Sequence, residues 1–165
     1  MARVLIIGCG CRGRRLAVEL RERGHVIRGT TRRPERLAAI EAAGAEAVLA
    51  DPDRLATLVA ALDHVTVAVL LLGSATGDPA QLSALHGPRL EALLVKLLDT
   101  TIRGVVYEAA GSIPDEVLAA GAATLQRLCS VSMIPRALIE AEPDEPSWLP
   151  AAAAAVDQVL EPPRK

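Results

Sequence analysis

The chain contains very few aromatic side chains: no phenylalanine, one tryptophan and one tyrosine among 165 residues. Its hydrophobic core must therefore be built from Leu, Val, Ile and Ala. Long apolar runs are also missing, since the longest, residues 65–72, is far too short to cross a bilayer. The start Met1-Ala2-Arg3 leads directly into an apolar segment, so no signal peptide is expected and the cytoplasm is the default location.

A strong excess of one charge is absent as well. The formal net charge is −2, so the chain lacks the basic surface that nucleic-acid binding requires. We therefore expect neither nucleic acid nor a membrane among its partners. A length of 165 residues suits one domain with a substantial core, and we assign residues 1–165 to a single domain.

Cysteines are few: Cys9, Cys11 and Cys129. An odd number in an expected cytoplasmic setting argues against a disulfide framework. The Cys9-x-Cys11 pair suggests a metal site, but such sites need about four converging ligands and the three histidines are scattered along the chain. No metal is therefore expected. Redox activity of Cys9 and Cys11 stays open, because a thiol at a helix N-terminus tends to have a lowered pKa.

The N-terminal region carries the most specific pattern in the chain. An apolar strand leads into G-x-G-x-x-G, formed by Gly8, Gly10 and Gly13, and apolar positions at helical spacing follow. In such a loop the first glycine permits a tight turn, the second lets the backbone approach a pyrophosphate, and the third lets helix and strand pack closely. The helix N-terminus then presents free N–H groups to the phosphates. This pattern predicts a dinucleotide-binding βαβ unit.

The end of the second predicted strand indicates which dinucleotide is bound. NAD-binding proteins usually place an acid there to accept from the ribose 2′-hydroxyl, but this chain has Thr31-Arg32-Arg33. A 2′-phosphate needs forked cationic donors, which guanidinium groups supply. Arg32 is the first candidate and Arg33 the second, and Arg12 could reach the same phosphate from the other side. The pattern favours NADP over NAD, on the missing acid more than on the added charge; the alternative is that these arginines are solvated loop residues.

The rest of the chain alternates strand and helix patterns, which predicts an α/β fold: a doubly wound Rossmann sheet of order 3-2-1-4-5-6 with helices on both faces. Ligands of such sheets bind beyond the carboxyl ends of the strands. Asp51 is then expected near the adenine, and Gly73 and Ser74 along the nicotinamide ribose or the linking phosphates. The candidate cofactor-binding residues are Gly8, Gly10, Cys11, Arg12, Gly13, Thr31, Arg32, Arg33, Asp51, Gly73 and Ser74.

The glycine loop with its flanks, Gly24-His25-Val26, Thr30-Thr31-Arg32 and the loop 107–112 resemble the atypical short-chain dehydrogenase/reductases. The resemblance implies a Rossmann fold, bound NAD(P)(H) and often a dimer. Catalytic members use a Tyr-x-x-x-Lys pair for proton exchange. Here the residue four positions after Tyr107 is Gly111, and the only lysines are Lys96 and Lys165, so that pair is absent.

Several functions remain compatible with these observations. The leading hypothesis is an NADP-binding domain that senses or carries the nucleotide, and no catalytic residue is predicted. A reductase with a nonstandard proton donor is the second, with Tyr107, Glu108, Ser74 or Ser112 as donor and an unknown small-molecule acceptor. A gating domain similar to those that regulate potassium transport is the third, although such domains normally have an acid after the second strand. A nucleotide-free structural subunit is the fourth.

Overall fold

A computed structural model describes residues 1–162 of the chain. Its six strands form one parallel sheet of order β3-β2-β1-β4-β5-β6, which confirms the predicted order. The strands are β1 (Arg3–Ile7), β2 (Val26–Thr31), β3 (Glu46–Leu49), β4 (Val67–Leu70), β5 (Gly104–Glu108) and β6 (Arg136–Ile139). The order reverses between β1 and β4, where doubly wound sheets form their binding crevice.

Within the described residues, seven helices cover the two faces of the sheet. They are α1 (Cys11–Glu22), α2 (Leu37–Ala42), α3 (Leu55–Leu58), α4 (Pro79–Leu85), α5 (Pro88–Leu98), α6 (Asp115–Ser132) and α7 (Trp148–Leu160). Short 3-10 turns precede α2 at Pro34–Arg36 and follow α3 at Val59–Leu62. The interruption that Gly87-Pro88 predicts in the fourth helical segment is present between α4 and α5.

The sheet is buried on both sides by aliphatic side chains. Val4 and Ile6 of β1 point to one face, where α1 and α7 pack, whereas Leu5 and Ile7 point to the other, beneath α5 and α6. Strands covered on both faces read as continuous apolar runs, which explains the sequence of β1 and β4. The two faces thus form two hydrophobic clusters.

Within residues 1–162, no helix is long and apolar enough to cross a membrane. The same residues contain no group of histidine, cysteine and acidic side chains that could hold a metal ion.

Candidate functional site

The glycine loop between β1 and α1 has the geometry that its three glycines predict. Gly8 has φ +80°, and a Cβ there would lie 2.6 Å from the carbonyl oxygen of Leu71. A Cβ on Gly13 would lie 3.1 Å from Cys9 Sγ, so this glycine permits close helix packing. A Cβ on Gly10 would meet no atom within 4 Å. The backbone of Gly10 therefore faces open space at the start of α1, where a phosphate can approach it.

Cys9 fills the space beneath this loop. Its amide donates to the carbonyl of Thr30 at the end of β2, and its side chain packs where a Cβ on Gly29 would come within 2.7 Å of Sγ. Burial raises the pKa of the Cys9 thiol to about 12. The expectation of a lowered thiol pKa at this helix N-terminus is therefore wrong for Cys9. Cys11, the first residue of α1, is exposed.

A cavity of about 330 Å³ opens above the glycine loop at the carboxyl ends of the strands. Nine of the predicted cofactor-binding residues line it: Gly8, Gly10, Cys11, Arg12, Gly13, Thr31, Arg32, Arg33 and Ser74. Leu71, Leu72 and Leu85 add an apolar wall. The structure thus brings together the glycine loop, the end of β2 and the loop after β4.

Asp51 does not line this cavity. Its Oδ1 accepts from the amide of Asp53 at 2.9 Å, and its own amide donates to Thr57 Oγ1 at 2.8 Å. These local bonds shape the loop after β3 and leave Pro52 and Ala50 facing the cavity instead. The expectation that Asp51 faces the adenine region therefore has no counterpart in the cavity wall.

Gly73 also lies outside the cavity, behind its wall. Its amide donates to Glu108 Oε1 at 3.0 Å, and its carbonyl accepts from the amide of Ile113 at 3.1 Å. Ser74, the next residue, lines the cavity, and its Oγ accepts from the amide of Ser112 at 3.3 Å. Of the two residues predicted after β4, only Ser74 faces the space available to a ligand.

The mouth of the cavity is strongly basic. Arg32 and Arg33 lie there with exposed side chains, and Thr31 Oγ1 accepts from the amide of Arg33 at 3.1 Å. Arg36, which was not among the predicted cofactor-binding residues, joins them from the 3-10 turn that follows. The sequence feature that could have identified Arg36 is its spacing from Arg33, about one helical turn. Among the described residues that line the cavity, none is acidic.

Arg12 lines the cavity, but its guanidinium points away from the arginines at the mouth. Its Nη2 donates to Glu108 Oε1 at 2.8 Å and its Nε to Oε2 at 3.3 Å. The guanidinium carbon also lies 5.6 Å from the centroid of the Trp148 ring, a cation–π distance. Arg12 is therefore engaged by a buried carboxylate, and nothing in this arrangement directs it towards a 2′-phosphate.

Glu108 is the best-connected polar group near the site. It is fully buried at the end of β5, and besides Arg12 its carboxylate accepts from the amide of Gly73 and from the indole of Trp148 at 3.1 Å. The sequence signal for a buried, hydrogen-bonded carboxylate was an acid at the end of an apolar strand. Its partners could not be identified from the sequence, because they lie up to 96 residues away along the chain. Glu108 does not line the cavity and is not available there as a proton donor.

Tyr107 is likewise buried away from the cavity. Its hydroxyl lies 2.6 Å from His86 Nδ1, while His86 Nε2 lies 2.9 Å from the carbonyl of Leu72. Because a carbonyl only accepts, Nε2 carries the proton and Nδ1 accepts from the tyrosine. Burial lowers the pKa of His86, and burial together with the nearby Glu108 charge raises the pKa of Tyr107, so both groups are neutral. The pair is placed to hold α4 against β5.

Comparison with known proteins gives one family and a common fold. Residues 4–85, about half of the chain, match the model of the TrkA-N domain. No curated protein matches the chain.

The solved structures that resemble the chain share its fold at low sequence identity. A short-chain dehydrogenase from Rhodopseudomonas palustris superimposes with a TM-score of 0.70 at 19% identity, covering 98% of this chain and 92% of that protein. A short-chain dehydrogenase/reductase superfamily protein from Agrobacterium tumefaciens, with bound NAD, gives 0.67 at 17%, covering 82% and 48%. UDP-glucuronic acid 4-epimerase from Bacillus cereus, in complex with NAD, gives 0.62 at 14%, covering 82% and 54%. The chain thus spans about half the length of the last two proteins.

Proposed function

We propose that this protein binds NADP(H) as a nucleotide sensor or carrier. The chain is an NAD(P)-binding Rossmann protein related to the short-chain dehydrogenases and epimerases, and it carries a TrkA-N domain at residues 4–85. In this proposal the dinucleotide lies across the glycine loop with its 2′-phosphate at the basic mouth. The protein acts in the cytoplasm, and a homodimer is the arrangement that the family resemblance suggests.

The observation that carries the proposal is the combination of an open Gly10 with a basic, acid-free mouth. No atom lies within 4 Å of the place that a Cβ on Gly10 would take, which supports the approach of a pyrophosphate to this backbone. Arg32, Arg33 and Arg36 then offer guanidinium donors where an NAD-binding site would place a carboxylate. NADP is favoured over NAD on this ground, although the similar proteins from Agrobacterium tumefaciens and Bacillus cereus contain bound NAD.

A sensor or carrier is favoured over an enzyme because the cavity offers little for proton transfer. The single tyrosine is buried against His86, and Glu108 is held by Arg12 and Trp148. Ser74 is the one group among the proton donors considered from the sequence that lines the cavity. An unactivated serine hydroxyl is a poor acid for carbonyl reduction at neutral pH.

Calorimetric titration with NADP, NADPH, NAD and NADH tests the proposal. We expect NADP(H) to bind more tightly than NAD(H), and Arg32→Ala to weaken NADP binding by about 1.5–3 kcal/mol, the usual value of hydrogen bonds to a charged group. Arg15→Ala is the matched control, because Arg15 is an exposed arginine of α1 outside the cavity and removes the same charge. Equal affinity for NAD and NADP contradicts the phosphate assignment, and no binding by any of the four contradicts the proposal as a whole.

A further inference from the structure

In the described part of this protein, the second half of the Rossmann crevice is open only at the loop after β4. Doubly wound sheets bind a dinucleotide across the point where strand order reverses, with one mononucleotide over each half of the sheet. Here that second half lies at the carboxyl ends of β4, β5 and β6. Among residues 1–162, the cavity lining includes residues after β1, β2, β3 and β4 but none that follow β5 or β6. The cavity therefore covers the first half of the crevice and the edge of the second half at β4, and it does not reach the ends of β5 and β6.

Hydrogen bonds join the loop after β4 to the loop after β5, where the second half would open. The carbonyl of Gly73 accepts from Ile113, and Ser74 Oγ accepts from Ser112. A Cβ on Gly111, which has φ +152°, would collide with the carbonyl of Gly73. The two loops are so close that not even a methyl group fits at this point. There is therefore no space for a nicotinamide ring between them.

A buried polar cluster closes the same region from behind. Arg12 reaches from the start of α1 to Glu108 at the end of β5, and Trp148 at the start of α7 packs against the Arg12 guanidinium. Glu108 and Trp148 are both fully buried. Every polar atom of the Glu108 carboxylate is satisfied within the protein, so the cluster has no unpaired group that awaits a ligand.

We infer that the site binds only the adenosine and diphosphate portion of its ligand and leaves the nicotinamide in water. The ligand class is an adenosine 5′-diphosphate with a 2′-phosphate, with or without a nicotinamide. This inference rests on the proposed function for the site but narrows it: the protein responds to the amount of phosphorylated nucleotide and is insensitive to its redox state. Hydride transfer from the bound cofactor is then not part of its role.

The test compares ligands that differ only at the nicotinamide end, on the unmodified chain. ADP-ribose 2′-phosphate has the structure of NADP without the nicotinamide ring, and nicotinamide mononucleotide is the other half. We expect ADP-ribose 2′-phosphate, NADP and NADPH to bind within fivefold of one another, and nicotinamide mononucleotide not to bind. A more than fivefold preference for NADP or NADPH over ADP-ribose 2′-phosphate overturns the inference while leaving NADP binding intact.

Fluorescence of the reduced nicotinamide gives a second readout that depends on no variant. We expect NADPH, at a concentration at which calorimetry shows saturation, to emit as it does in water. A blue-shifted, enhanced emission would mean that the ring is buried, and it overturns the inference. If ADP-ribose 2′-phosphate binds and NADP does not, the nicotinamide interferes with binding, and both the inference and the dinucleotide proposal fail; if neither binds, both fail as well.

Discussion

Replacing Glu108 by glutamine should destabilise the fold far more than the loss of one surface ion pair. The carboxylate accepts four hydrogen bonds, two at each oxygen: Arg12 Nη2 and the Gly73 amide at Oε1, and Arg12 Nε and the Trp148 indole at Oε2. A glutamine in the same place has one oxygen and one amide nitrogen. Whichever way the amide turns, its NH₂ group faces two donors and two hydrogen bonds are lost.

The magnitude follows from which bonds are lost. Both lost bonds end on a charged carboxylate, and such hydrogen bonds are worth about 1.5–3 kcal/mol each. Removing one partner of a buried ion pair costs about 3–5 kcal/mol. We therefore expect Glu108→Gln to lower the free energy of unfolding by about 3–5 kcal/mol. A domain of this kind is stable by about 5–15 kcal/mol, so the variant should still fold.

Urea unfolding followed by fluorescence measures this directly, because Trp148 is the single tryptophan and contacts Glu108. The matched control is Glu91→Gln, which removes the Arg127 ion pair on the protein surface, with both side chains at least half exposed. That change should cost less than about 0.5 kcal/mol. If Glu108→Gln lowers the free energy of unfolding by as little as the control does, the view that the buried cluster closes this side of the sheet is refuted.

Three further predictions concern the site. Gly10→Ala should leave the free energy of unfolding within about 0.5 kcal/mol of the native value, because its Cβ meets no atom, yet weaken nucleotide binding at least tenfold; unchanged binding would mean that no phosphate approaches this residue. A thiol reagent at neutral pH should modify Cys11 quickly and the buried Cys9 and Cys129 hardly at all, and bound nucleotide should slow the reaction; rapid modification of Cys9, located by peptide mapping, would contradict its raised pKa. Burial lowers the pKa of His86, so below pH 6.5 the unfolded chain takes up a proton that the folded chain does not, and stability should fall with falling pH. In His86→Gln this fall should be shallower, with the contribution of His25 remaining, and an identical slope would contradict the assignment.

The fold could be predicted because each of its signals is local. The glycine spacing, the apolar strands and the breaks at Gly24, Gly44 and Gly87-Pro88 are all visible within a few residues of the elements that they define. Right-handed crossovers then leave few topologies for six alternating strands and helices. Sheet order 3-2-1-4-5-6 follows from that rule with little dependence on side-chain detail.

The candidate site was only partly predictable, because long side chains choose partners that sequence spacing does not reveal. Arg12 was expected to face a phosphate and instead finds Glu108, 96 residues away. Asp51 was expected to face the ligand, but its carboxylate caps the amide of Asp53 two residues on, a competition typical of Asp in turns. Arg32 and Arg33 sit on a short exposed turn beside the cavity, so their position could be inferred from the strand end alone.

The packing of Cys9 makes three positions of this chain interdependent under substitution. Its sulfur occupies the space that Gly13 on the helix and Gly29 on the neighbouring strand leave free. A side chain at Gly29 would require Cys9 to move, because its Cβ would lie 2.7 Å from Sγ and 2.9 Å from Cβ of Cys9, whereas one at Gly13 would require only a small shift of the sulfur. A bulkier residue at position 9 would force apart the helix and strand that the glycines bring together. In homologous sequences the side-chain volumes at positions 9, 13 and 29 should therefore vary together, with a larger residue at one position accompanied by a smaller one at another. A redesign of this nucleotide loop has to change the three positions together.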